Sequence, residues 1–268
     1  MKNKIIELLD QLKSKETDQA QDYSPMVDKI RELLTELRFK GMSQALDDQM
    51  TQAEKLGLTL HEVLYNLLLE ELKFREERSR LYQLKVAKLP WDWTLDTFPF
   101  DLQPSVDKAQ IMALADLDFL KRGENIVFWG KTGVGKSGLS VGILRQAILS
   151  GFRGRYYNVQ DLLDDLYASL ADRSTPKLLR SLCRYDLLLL DELGYLTLNT
   201  EQMNAFFKLM KERYEAGKST IITTNLEFED WYNLLEPKDM VDAFLDRLYH
   251  RCRVIRITGK SLRTGMPE

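Results

Sequence analysis

Cysteine, histidine and long apolar runs are all scarce in this chain. Its 268 residues hold two cysteines, Cys183 and Cys252, far apart and with no CxxC pair. That excludes a disulfide framework and a cysteine-clustered zinc site, and fits two thiols in a reducing compartment. With His61 and His250 as the only histidines, a His-based metal centre or a catalytic triad is not expected. No stretch approaches the ~20 uninterrupted apolar residues of a membrane-spanning helix. The start, Met1 to Lys15, mixes both charge signs, unlike a secretory signal or transit peptide. Internal repeats and low-complexity tracts are missing too. The expectation is a cytoplasmic protein with no membrane partner, long enough for one sizeable core plus a smaller accessory domain.

A surplus of positive charge is also lacking. The net charge of −3 argues against a protein that coats nucleic acid over its whole surface. Clustering decides local fields, however. Lys73, Arg75, Arg78, Arg80, Lys85 and Lys88 face only Glu76 and Glu77 across 73–88. Arg247, Arg251, Arg253, Arg256, Lys260 and Arg263 face only Asp246 across 245–263. These are two basic islands on an acidic protein.

Two kinds of pattern meet near residue 90. Residues 1–24 read as a leader helix and a polar linker, and 25–89 as a helical domain. Met26, Ile30, Leu33, Leu34 and Leu37 recur at helical spacing, with Gly41 as the stop. Ser43 is the expected cap of a second helix that closes at Gly57. Thr59 and Glu62 form a capping box for a third, apolar early and basic late. The stretch 90–124 opens on Pro90-Trp91-Asp92-Trp93 and reads as a connector whose aromatics dock onto the next domain. From 125 to 268 short apolar runs alternate with helical stretches, the pattern of a parallel sheet with crossover helices. Strands are expected at 125–129, 154–159, 186–190, 219–224 and 252–258. Helices are expected at about 136–150, 161–170, 176–184, 200–216 and 239–250.

Gly130-Lys131-Thr132-Gly133-Val134-Gly135-Lys136-Ser137 fits G-x-x-x-x-G-K-[ST] at every fixed position. A buried strand precedes it and an amphipathic helix comes after. The glycines let successive N–H groups turn inward on phosphate oxygens, and the helix N-terminus adds to that field. Lys136 then reaches the β- and γ-phosphates of ATP, and the Ser137 hydroxyl ligates Mg²⁺. Further on, Leu187-Leu188-Leu189-Leu190-Asp191-Glu192 is a buried strand with acids at its carboxyl end. Asp191 is expected to hold the Mg²⁺ water shell and Glu192 to polarise the attacking water. The β-branched strand 219–224 ends at Asn225, which is placed to orient that water or to touch the γ-phosphate. Arg247 and Arg251 share one helix face, and an arginine there suits charge stabilisation across a subunit boundary. A solvated basic face is the plainer alternative for that pair.

Together these elements resemble the AAA+ ATPases, within them the DnaC-like clade, and most nearly the IstB-like ATP-binding proteins. The resemblance extends to Arg38 through Gly41-Met42, the Leu-rich segment 67–71, Phe98–Phe100, and Asp246-Arg247-Leu248 leading to Ile257-Thr258-Gly259-Lys260-Ser261. It implies a P-loop α/β fold of AAA+ type, with a five-stranded parallel sheet behind a small all-α domain and a reduced or missing C-terminal lid. By the resemblance Gly130–Ser137 is Walker A, Asp191 and Glu192 are Walker B, Asn225 is sensor 1 and Arg247 is the candidate arginine finger.

The function implied is an ATP-dependent DNA-binding regulator. It assembles as a homo-oligomer on double-stranded target DNA, recruits or activates a partner transposase, and resets by a weak, assembly-stimulated ATP hydrolysis. The basic segment 73–88 is the expected DNA contact. Two alternatives stand beside it: a replicative helicase loader of the same clade, and a nucleotide-controlled scaffold in which hydrolysis is incidental.

Overall fold

A computed structural model describes residues 24–194, 200–235 and 238–263. The expected leader helix lies outside them. The chain divides into two compact units, one up to Arg78 and one from Ser79.

In the first unit, helices α1 (Ser24–Glu36), α2 (Lys40–Leu56) and the start of α3 (Leu60–Val86) close over Leu34, Met42, Leu46, Val63 and Leu67. Thr59 and Glu62 do form the reciprocal cap of α3, through Thr59 N to Glu62 Oε2 at 2.8 Å and Glu62 N to Thr59 Oγ1 at 3.4 Å. Gly57 ends α2 in the left-handed conformation, φ 65°. Two expectations fail here. Gly41 does not stop a helix and Ser43 does not cap one, because both lie inside the first turns of α2. The physical reason is Glu71. Its buried carboxylate accepts from Gly41 N at 2.7 Å and Met42 N at 3.2 Å, which satisfies the free amides at that helix start from a neighbouring helix. A Cβ on Gly41 would lie 2.6 Å from Glu70 O, so only glycine permits that approach.

The second unit is a five-stranded parallel sheet in the order β2-β3-β4-β1-β5. The strands are β1 (Asn125–Gly130), β2 (Gly154–Asn158), β3 (Leu187–Leu193), β4 (Ser219–Thr224) and β5 (Cys252–Ile257). Alternation along the strands splits the core in two. Val127, Leu188, Leu190 and Ile222 point to one face, and Ile126, Phe128, Leu187, Leu189 and Ile221 to the other. The second face is covered by α4 (Lys108–Ala115), α5 (Asp118–Lys121) and α6 (Lys136–Leu149). The first is covered by α7 (Val159–Ala171), α8 (Thr175–Leu182), α9 (Thr200–Glu215), α10 (Phe228–Leu234) and α11 (Lys238–His250). No helix among the described residues is long and apolar enough to cross a membrane.

Of the expected strands, the one at 186–190 continues past its apolar run to Leu193, with Asp191 beside Asn158 of β2 and Glu192 in a register shift against β4. The connector is not all loop. It folds α4 and α5, with Asp107 capping α4 through Ala109 N at 2.8 Å.

Candidate nucleotide-binding site

The carboxyl ends of β1, β3 and β4 meet where the register sets Trp129 beside Thr224 and Leu193 beside Thr224. A cleft of about 330 Å³ opens there. Thr132, Gly133, Lys136, Ser137, Glu192 and Asn225 line it.

The phosphate loop has the conformation its glycines predict. Gly133 and Gly135 take φ of 83° and 99°, in the region that L side chains rarely adopt. A Cβ on Gly133 would lie 2.2 Å from Ser261 Oγ, and one on Gly135 would lie 2.6 Å from Phe98 Cε2. The Lys136 ammonium donates to Gly130 O at 2.7 Å and Lys131 O at 2.8 Å. Burial lowers its pKa, opposed by the nearby Asp191 and Glu192. It is a cation held by carbonyls alone, which suits a lysine waiting for phosphate oxygens.

Asp191 is buried at the end of β3. The Ser137 hydroxyl donates to its Oδ1 at 2.8 Å, the Thr223 hydroxyl donates to the same oxygen, and Tyr156 OH donates to Oδ2 at 3.1 Å. Burial, then the Asp191 charge, raises the Tyr156 pKa and keeps that hydroxyl a donor. A hydroxyl and a carboxylate at this distance are the hard oxygen ligands that Mg²⁺ takes beside phosphate oxygens. The residues therefore fit both ATP and the metal.

Glu192 leaves the strand. Its φ is 66°, unusual for a non-glycine residue, and the ladder between β3 and β4 shifts register between Leu190 and Leu193. Its amide donates to Thr223 Oγ1 at 2.9 Å, and its carboxylate accepts from Asn158 Nδ2 at 2.9 Å. Two residues further on, Gly194 is required. Its φ is 152°, and a Cβ there would lie 2.6 Å from Asn225 Oδ1.

The far wall of the cleft is built from the connector and from the segment after β5. Trp93, Thr97 and Phe98 line one side and Leu262 and Arg263 the other. After β5 the described chain crosses the phosphate loop as a strap. Leu262 N donates to Gly133 O at 2.8 Å, and Gln103 Nε2 anchors Lys260 O at 2.5 Å.

The model of the IstB-like ATP-binding proteins matches residues 32–266. The chain belongs to that family. Among IstB-like relatives, it is 34% identical to the insertion sequence IS21 ATP-binding protein of Pseudomonas aeruginosa, over 86% of this chain and 87% of the relative. It is also 34% identical to the insertion sequence IS232 ATP-binding protein of Bacillus thuringiensis, over 85% and 90%. Among solved structures it resembles the DnaC helicase loader, with 26% identity, a TM-score of 0.53 and coverage of 64% of this chain and 99% of that one. AMPPCP-bound DnaA from Aquifex aeolicus shares the fold, with a TM-score of 0.52 and coverage of 63% and 51%. The IstB-like chain is thus a P-loop ATP-binding protein of AAA+ fold.

Within this IstB-like site, Gly130–Ser137, Asp191, Glu192 and Asn225 come together. Arg247 does not join them. It lies on α11, donates from Nη1 to Ala243 O at 2.6 Å, and lines a separate pocket between α9 and α11. Arg251 is exposed beyond the helix end. Of the basic segment, Lys73 pairs with Glu70 at 2.7 Å, Arg75 pairs with Glu71 at 2.6 Å and lies over Phe39, and Arg78 lies over Phe74. All three remain exposed, as do Arg80, Lys85 and Lys88. Sequence reading missed Tyr156, Asn158 and Thr223. Asn158 between an aromatic strand and Gln160-Asp161 was the available signal, because it is the N-cap pattern that Asn158 fulfils on α7.

Proposed function

We propose that this protein is an ATP-dependent regulator of transposition. It binds double-stranded DNA through its helical segment 25–89, assembles there with further copies of itself, engages a partner transposase, and is released by slow ATP hydrolysis. In this reading Lys136 and the loop amides hold the phosphates, and Ser137 and Asp191 hold Mg²⁺, which when bound neutralises charge on the β- and γ-phosphates. Glu192 orients and deprotonates the attacking water, and Asn225 fixes its position. Its setting is the cytoplasm.

One observation carries the reading: Arg247, the arginine suited to phosphoryl transfer, is absent from its own chain's cleft. The cleft's own cations are Lys136 and Arg263; an Arg247 supplied by a neighbouring subunit would complete the set, so turnover should depend on assembly. ATPase rate per subunit should rise with protein concentration and rise further with duplex DNA. A rate independent of both would sink the proposal. The names of the relatives support the link to insertion sequences. The likeness to a helicase loader supports the alternative that the helical segment grips a helicase. A gel shift of the full chain on duplex DNA, lost when Lys73, Arg75 and Arg78 become glutamate, favours the DNA reading.

A further inference from the structure

Three hydroxyls converge on the buried Asp191 carboxylate, and they divide unevenly between its two oxygens. Ser137 from the phosphate loop and Thr223 from β4 both donate to Oδ1. Tyr156 from β2 donates to Oδ2 at 3.1 Å. The first two hydroxyls sit on elements that line the nucleotide cleft, whereas the third comes from the edge of the sheet.

Strand register places that third donor. Along β2, Tyr156 lies opposite Leu189 and Asn158 lies opposite Asp191. Alternation puts Tyr156 on the sheet face of Leu187, Leu189 and Asp191, and turns Tyr157 to the other face. From Tyr156 to Asp191 is therefore a diagonal between neighbouring strands, within reach of an aromatic side chain and too long for serine or threonine. The strand is also held from its outer side by the end of α3. Tyr156 N donates to the buried Ala87 O at 2.9 Å, and the Arg155 guanidinium donates to Val86 O. The phenol thus projects from a backbone that is bonded on both flanks.

A carboxylate can meet a cation through one oxygen or through both. Mg²⁺ demands near-ideal octahedral geometry, which leaves little room for a two-toothed carboxylate, whereas Ca²⁺ accepts either mode. Donors behind a ligating carboxylate fix its orientation and tune the site. We propose that Tyr156 is a positioning residue for the metal. By occupying Oδ2, it leaves Oδ1, the oxygen bonded to Ser137, as the one Asp191 offers, and so selects Mg²⁺ over a larger cation. This rests on the reading of Ser137 and Asp191 as the residues that hold Mg²⁺, and adds to it a selectivity.

The test is Tyr156→Phe in the full chain, which keeps the ring and removes only the hydroxyl. Affinity for a non-hydrolysable ATP analogue is measured by calorimetry in EDTA, in Mg²⁺ and in Ca²⁺, so that turnover plays no part. In EDTA the variant should bind as the wild type does. The tightening that Mg²⁺ gives should shrink about tenfold, and the preference for Mg²⁺ over Ca²⁺ should narrow because Oδ2 is free. Thermal melting without nucleotide checks that the fold is kept. An unchanged Mg²⁺ tightening and an unchanged Mg²⁺-to-Ca²⁺ ratio overturn the proposal. An equal loss of affinity in EDTA also overturns it, since Tyr156 would then shape the cleft and not the metal site. If the wild type itself binds no tighter in Mg²⁺ than in EDTA, the Mg²⁺ reading of Ser137 and Asp191 fails, and this inference falls with it.

Discussion

Asn158 holds both ends of one lever: its Nδ2 donates to Glu192 Oε2 at 2.9 Å, while its Oδ1 caps α7 by accepting from Gln160 N at 3.0 Å. A carboxylate engaged by a neutral amide is less available to take a proton from water, and its position is tied to the helix start. Asn158→Ala frees Glu192 and removes the cap. The isolated protein should turn ATP over faster, by roughly ten- to a hundredfold if the bond to the charged group is worth about 1.5–3 kcal/mol. Its stimulation by DNA should shrink in proportion. Steady-state ATPase with and without duplex DNA checks both. A slower basal rate with stimulation intact would mean that Asn158 aids Glu192 rather than restraining it.

Gly194 bears on Asn225 in a way that a substitution can isolate. Alanine there must take a φ of 152° and bring a methyl group within 2.6 Å of Asn225 Oδ1. Strain of about 1–3 kcal/mol is expected, relieved by moving Asn225. The expected kinetic signature is a fall in kcat with ATP affinity nearly kept, because the phosphate loop is untouched. Fluorescent-nucleotide binding alongside turnover separates the two. A parallel loss of both would place the damage in the whole cleft.

The phosphate loop and the two acids were legible because they are local: glycine spacing, a buried run before, a helix after. The sheet was legible from the same runs. The features that escaped depended on register. Thr223 bonds Asp191 only because β4 lies beside β3, and Tyr156 and Asn158 reach the two acids only because β2 pairs with β3 from Gly154 to Asp191. The turn of Glu192 into a positive φ arises from a register shift that apolar patterning does not encode. In the first unit, Gly41 reads as a helix stop, and only the approach of Glu71 from another helix reverses that reading.

Arg213 was hidden for a related reason, since an arginine on an amphipathic helix reads as solvent-facing. It is 1% exposed, and burial pushes its pKa down to about 10. Its guanidinium donates to Leu182 O at 2.8 Å, Tyr185 O at 3.0 Å and Thr220 Oγ1 at 3.2 Å, and to Ser219 O. These bonds tie α8, α9 and the start of β4 together. Arg213→Met strands those acceptors and should cost about 3–5 kcal/mol. Arg213→Lys should also destabilise, because one ammonium cannot span the fork. Chemical denaturation reads the loss. A melting curve unchanged by either substitution would show that the buried cation is dispensable.

The central claim is that one chain supplies Glu192 and another supplies the arginine that completes the site. Mixing two inactive variants tests it most directly. Glu192→Gln and Arg247→Ala should each lose most ATPase activity alone. Combined on duplex DNA, they should regain a measurable fraction, since some interfaces pair an intact Glu192 with an intact Arg247. A mixture no more active than the two parts measured separately, with DNA binding retained by both, would contradict the account.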